Sequence, residues 1–175
     1  MLERFKPTWM IERFSDIDPG QLKAHCIKAV FSDLDNTLIA WDNPDGTPEL
    51  RDWMAQLKQA GIELIVVSNN HAARVSKAVA PLDLPFESRA LKPLPIGLKR
   101  TLKRFKYQPD QVVMVGDQLM TDVLAANGAG VRSILVKPLL PSDKWVTMPN
   151  RWMGNQVMKR LVSADPTMKW QKELK

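Results

Sequence analysis

The chain has 175 residues, of which 45% are hydrophobic, and 25 Lys and Arg set against 19 Asp and Glu give it a formal net charge of +6. This suits one domain with a proper core and argues against disorder, and a single cysteine, Cys26, excludes an internal disulfide. No apolar run approaches bilayer length, and the charged opening MLERFKPTWMIERF lacks the form of a signal peptide, so a cytoplasmic protein is expected.

A basic surface attracts nucleic acid, anionic lipid or phosphorylated ligands. From Lys137 onward there are eight Lys or Arg against three Asp or Glu, without the dense block of a nucleic-acid arm. That pattern reads as a solvated basic face, and nucleic acid is not the expected partner.

Residues 1–27 read as an N-terminal extension packed on the core, with Phe5, Trp9, Met10, Ile11 and Phe14 among charges. DIDPGQL predicts a turn and a short helix. KAVFSDLD is the first strand, short and almost continuously apolar. After the turn-rich WDNPDGT, Pro48 opens a helix with Leu50, Trp53, Met54 and Leu57 on one face, ended by Gly61. IELIVVSNN is a second strand and HAARVSKAVAPL a helix stopped near Pro81. FESRALKP holds a short third strand. LPIGLKRTLKRFKY is a basic amphipathic helix with Ile96, Leu98, Leu102 and Phe105 as its apolar positions. QVVMVGD, TDVLAANGAG and VRSILVKPL predict strand, short helix, strand. Residues 28–137 form the core by this reading, and 138–175 a basic tail packed on the same domain. Cys26, the methionines and most tryptophans read as core residues, and His71 as a helix cap or solvated side chain.

Strands alternating with helices predict an α/β fold, a central parallel sheet of about five strands with helices on both faces. Ligands of such sheets bind beyond the carboxyl ends of the strands. There the sequence places Asp33 and Asp35, then Ser68, Asn69 and Asn70, then Gly116 and Asp117. In extended backbone Asp33 and Asp35 share a side. With Asp117 they call for a hard divalent cation, for which Mg²⁺ suits oxygen-only ligands. A carboxylate can also be a nucleophile that forms an aspartyl-phosphate. Lys92 in LKP supplies a positive charge, and Ser68 and Asn69 offer donors to a phosphoryl group.

DLDNTL, VVSNN, LKP and GDQLMTD, in that order between residues 30 and 122, resemble the four motifs of the haloacid dehalogenase (HAD) superfamily. The resemblance implies a Rossmann-like core in which Asp33 is the nucleophile and a metal ligand. Asp35 is then the general acid and base, with its backbone carbonyl on the metal. Ser68 meets the phosphoryl group, Lys92 neutralises it and orients Asp33, Asp117 binds Mg²⁺ directly, and Asp122 supports the metal or Lys92. An alternative for Asp122 and Thr121 is a helix cap. Gaps of 35 residues from Asp33 to Ser68 and 24 from Ser68 to Lys92 are too short for a cap domain, so a capless, open site is expected.

The opening through DLDNTLIAWD, with SNN and GDQLMTD, is further similar to the YqeG family of bacterial HAD phosphatases, subclass IIIA. That family is related to the phosphatidylglycerophosphate phosphatases of mitochondria and plastids. The resemblance implies a phosphorylated substrate, phosphatidylglycerophosphate at the inner face of the membrane being the lead, with an aromatic N-terminal segment that either meets the membrane or packs on the sheet. The resemblance to capless members also implies either a large substrate or a site completed by oligomerising. The alternatives are a phosphatase of a soluble metabolite or nucleotide, or a partner- or RNA-associated binding protein with a little-used site.

Overall fold

A computed structural model describes residues 2–40, 43, 45–140 and 148–175. Among them run six parallel strands: β1 (Trp9–Ile11), β2 (Ala29–Ser32), β3 (Glu63–Val67), β4 (Phe86–Glu87), β5 (Val112–Gly116) and β6 (Arg132–Val136), ordered β1-β6-β5-β2-β3-β4. The helices are α1 (Pro19–Ala24), α2 (Pro48–Gln59), α3 (Ala72–Val79), α4 (Ile96–Phe105), α5 (Leu124–Ala129) and α6 (Met148–Ala164).

β2 and β5 are buried along their whole length, as strands covered on both faces must be. Alternate residues feed two cores. Val30, Val66, Val113 and Val115 meet Leu50, Trp53 and Leu57 of α2 together with Phe14, Ile17 and Leu22. Phe31, Ile65 and Met114 meet Leu98 and Leu102 of α4 and the small residues Ala125, Ala126 and Ala129 of α5. The helices begin where their sequences provide caps. The Thr47 hydroxyl accepts the Leu50 N–H ahead of Pro48, Asp18 accepts the Gly20 N–H ahead of Pro19, and His71 accepts the Arg74 N–H.

The sheet has one strand more than the five expected. WMI is too short to show a period, and it becomes a strand by pairing with β6, with Ile11 opposite Val136. Phe5, Trp9, Met10, Ile11 and Phe14 are all buried, so the N-terminal aromatics belong to the core and do not face a membrane. The C-terminal end closes over the same edge, with the Trp9 Nε1–H donating to the Lys175 carbonyl and Lys6 pairing with Asp165. Three further expectations are corrected. Cys26 is exposed on a turn with positive φ. Ile96, the first residue of α4, is exposed, and the buried positions of the helix are Gly97, Leu98, Thr101 and Leu102. Trp9 and Trp53 are core, whereas Trp152 and Trp170 are exposed; Trp41 and Trp145 lie outside the described residues, as do 141–147 of the expected tail.

From β2 the chain proceeds outward through β3 to β4, while β5 and β6 lie on its other side. The crevice beyond the carboxyl ends of β2 and β5 is therefore the topological switch point of the sheet.

Candidate active site

Asp33 is the first residue past β2, and its N–H donates to the Val115 carbonyl at 2.9 Å, so its backbone is held by the neighbouring strand. Asp117 follows β5 directly. Asp122 returns to the same place through a π-helical turn, Leu119–Val123, where one Oδ2 accepts the Gln118 N–H at 3.1 Å. Oxygens of Asp33, Asp117 and Asp122 lie within 4.8 Å of one another. Gly116 makes that possible: a Cβ there would stand 2.3 Å from Asp122 Cγ. Asp122 thus turns inward and does not cap the following helix.

Lys92 closes the cluster. Its Nζ donates to Asp33 Oδ1 at 2.7 Å and to Asp122 Oδ1 at 2.8 Å, and the side chain is almost fully buried. Burial alone would lower its pKa, but the charges of Asp122 and Asp33 and the hydrogen bonds to both outweigh it and raise it, so Lys92 stays charged. The loop that carries Lys92 is tied down at several points. Ala90 N–H donates to the Ser68 carbonyl, and Gly97 N–H donates to the Ala90 carbonyl, against which a Cβ on Gly97 would sit at 2.2 Å. Asn69 exchanges two hydrogen bonds with the Lys92 backbone: its Oδ1 accepts the Lys92 N–H at 2.7 Å and its Nδ2–H donates to the Lys92 carbonyl at 2.8 Å. The side chain of Asn69, expected at the substrate, is instead spent on placing the lysine.

Asp35 goes elsewhere. β2 has ended, the chain turns through Asn36 at positive φ, and the extended-strand expectation that Asp35 lies alongside Asp33 no longer applies. Its carboxylate accepts from Asn70 Nδ2 at 2.7 Å and pairs with Arg74 at 2.9 Å, with its side chain 47% exposed. It is absent from the three-carboxylate cluster. The Ser68 hydroxyl, buried at the end of β3, accepts from the Asn70 backbone at 3.2 Å.

Asp117 is held on both oxygens. The Thr37 hydroxyl donates to Oδ1 at 2.9 Å, and Arg151 of α6 donates to Oδ2 at 2.5 Å. Thr37, Arg74 and Arg151 are not singled out from sequence, whereas Asn70 is named only as a polar strand end. Thr37 lies inside DLDNTL and could have been found there; Arg74 and Arg151 sit on helices with nothing local to mark them.

Three carboxylates against Lys92 and Arg151 leave one net negative charge in a buried crevice. Burial raises Asp33 to about 6, with the Asp122 charge adding to it and Lys92 opposing it. Burial raises Asp117 to about 7, with Asp122 and Asp33 adding and Arg151 and Thr37 opposing. Carboxylates that resist ionisation together, with oxygens this close, are a donor set fitted to a divalent cation.

A family model described as haloacid dehalogenase-like hydrolase matches residues 21–130. The chain belongs to this family. It is 39% identical over 165 residues to the probable phosphatase YqeG of Bacillus subtilis strain 168, covering 94% of each chain. It is 26% identical over 114 residues to the glyceraldehyde 3-phosphate phosphatase of Pyrococcus furiosus, spanning 57% of this chain and 48% of that one. Among solved structures, NagD from E. coli K-12 has a TM-score of 0.54 at 14% identity, over 63% of this chain and 87% of that one. An uncharacterised protein from Listeria monocytogenes serotype 4b has a TM-score of 0.55 at 14% identity, over 76% and 99%. These two share the fold. The chain is a HAD-family phosphatase, similar to YqeG, whose acidic cluster could hold a metal.

Proposed function

We propose that the chain hydrolyses a phosphomonoester through an aspartyl-phosphate on Asp33. The observation that carries this reading is Lys92 Nζ bridging Asp33 and Asp122 beside Asp117 at the switch point of the sheet. An Asp33 oxygen attacks phosphorus, the ester oxygen departs, and Asp35 gives it a proton. Asp35 then takes a proton from water, whose oxygen attacks the same phosphorus and releases phosphate and free Asp33. Lys92 neutralises the phosphoryl oxygens and fixes Asp33, and the Ser68 hydroxyl donates to one of them. Asp33, Asp117 and Asp122, with the Asp35 backbone carbonyl, would hold Mg²⁺. When bound, the ion offsets charge on the transferring phosphoryl group. The half-exposed Asp35 is accessible to a leaving group from solvent.

The stretch between Asp33 and Ser68 carries α2, and that between Ser68 and Lys92 carries α3 and β4, which supports a capless, open subclass IIIA site. Leu91, Leu94 and Ile96, close to Lys92 in the chain, are 52%, 52% and 50% exposed. Exposed apolar side chains on the loop that carries Lys92, in a basic protein, favour a phosphorylated lipid, phosphatidylglycerophosphate, met from the cytoplasmic face of a membrane. Among the described residues no helix is long and apolar enough to cross it. The second reading, a small soluble phosphoester, draws on the similarity to the glyceraldehyde 3-phosphate phosphatase of Pyrococcus furiosus. The RNA-associated reading loses ground: Arg100 and Arg104 of the basic helix α4 are paired with Glu87.

The test is phosphate release with Mg²⁺ from phosphatidylglycerophosphate in mixed micelles, an aryl phosphate, glyceraldehyde 3-phosphate and nucleotides, by wild type and Asp33→Asn. Preference for the lipid, lost in the variant and under chelation, is expected. Release from small phosphates alone would discard the lipid and keep the chemistry. Wild-type turnover by Asp33→Asn would discard the chemistry.

A further inference from the structure

The family model ends at residue 130, yet α6, at residues 148–164, reaches the acidic cluster. Leu161 of that helix is buried with Phe5, Met10, Leu119, Val123 and Leu135, and Gly154 lies against Leu119 and Met120 of the π-helical turn. One helical turn before Gly154, Arg151 meets Asp117 at 2.5 Å. The Asp117 side chain is wholly buried and that of Arg151 is 22% exposed. A guanidinium here performs the task a bound cation performs, compensating a buried carboxylate that has no other positive partner among the described residues. Beside it lies a cavity of about 170 Å³ lined by Asp117, Gln118, Arg151, Asn155 and Trp170.

We propose that Arg151 is a resident counter-cation of the metal site, holding Asp117 before metal loading and opposing the ion that replaces it. This rests on the reading of Asp33, Asp117 and Asp122 as a divalent-cation site. Two positive charges on one carboxylate repel each other, so the guanidinium weakens ion binding while stabilising the ion-free fold. Removing its charge should therefore move two quantities in opposite directions, which a merely structural contact would not do.

The experiment is calorimetric titration with Mg²⁺ alone, and thermal unfolding with chelator or Mg²⁺, on wild type, Arg151→Gln, Arg151→Met, Arg151→Lys and Asp117→Asn. Arg151→Gln and Arg151→Met should bind Mg²⁺ about tenfold more tightly than wild type, the order expected for removing one unit charge beside a ligand. Both should unfold at lower temperature under chelator and show a larger rise on adding Mg²⁺. Arg151→Lys, which keeps the charge, should stay near wild type. Unchanged or weaker Mg²⁺ affinity in both neutral variants overturns the proposal. If wild type binds Mg²⁺ and Asp117→Asn does not, that failure leaves the cation site standing. If no form binds Mg²⁺, the cation site and the proposal fall together.

Discussion

Gly116 shows how one hydrogen in place of a methyl group sets the site. Asp122 packs so closely over it that any Cβ would overlap the Asp122 carboxyl group. In Gly116→Ala, Asp122 has to shift, and Lys92 loses a partner held at 2.8 Å. A displacement on the order of 1 Å at a catalytic group typically costs about 10²-fold, and overpacking costs about 1–3 kcal/mol. Steady-state kinetics and chemical denaturation of Gly116→Ala should show both; wild-type kcat/KM would mean that the placement of Asp122 is unimportant. At this scale much could be read from sequence. Asp33, Lys92, Asp117 and Asp122, which the fold brings together, lie at strand ends or in short motifs where local pattern singles them out. The arginine partners of Asp35 and Asp117 could not be found that way, because Arg74 and Arg151 reach them only through the folding of α3 and α6 onto the sheet.

Among elements, the decisive one for chemistry is the loop from β4 to α4. It has no regular hydrogen-bond ladder, so side chains must hold it. Asn69 does so from the end of β3, satisfying both the N–H and the carbonyl of Lys92. Asn69→Ala leaves both groups without that partner, at about 1–3 kcal/mol for each group left unsatisfied. Its kcat should fall more than its KM rises, because Lys92 is misplaced while the open mouth is unaltered; a pure KM effect would mean that Asn69 meets substrate instead. The N-terminal segment is the other element whose role depended on the fold. Its aromatics have no helical or strand period of useful length, and both membrane binding and packing fit the sequence. Pairing with β6 decides for packing. Trp53 of α2 packs its ring, tilted by 59° and with centroids 5.3 Å apart, against Phe14 of that segment and donates to the Ile17 carbonyl at 2.9 Å. Trp53→Ala should destabilise the protein by about 3–5 kcal/mol, seen as an earlier urea midpoint, whereas a shift under about 1 kcal/mol would show that the segment is not a working part of the core.

For the whole molecule, the acidic crevice couples stability to pH and to metal. Asp33 and Asp117 bind protons more tightly in the folded protein, at about 6 and about 7, than at the ordinary value of 3.8. A folded state that holds protons more tightly loses stability as pH rises through that window. The chelated protein should therefore become less stable between about pH 4 and pH 7, as these groups ionise against one another. A cation bound by the ionised carboxylates reverses the penalty, so the rise in unfolding temperature on adding Mg²⁺ should be small at pH 5 and large at pH 8. Thermal unfolding over that range, with chelator or with Mg²⁺, checks it; a Mg²⁺ effect independent of pH would exclude these carboxylates as the ligands.

The proposed mechanism turns on Asp33 as the nucleophile, and a trapping experiment for an aspartyl-phosphate tests that claim most directly. The enzyme would be mixed with substrate and Mg²⁺, quenched with acid, reduced with borohydride, digested with trypsin and sequenced by mass spectrometry. The account predicts conversion of the Asp33 carboxyl to an alcohol in the peptide Ala29–Arg51, dependent on substrate and absent in Asp33→Asn. Turnover with no modified Asp33, or modification at another carboxylate, would contradict it.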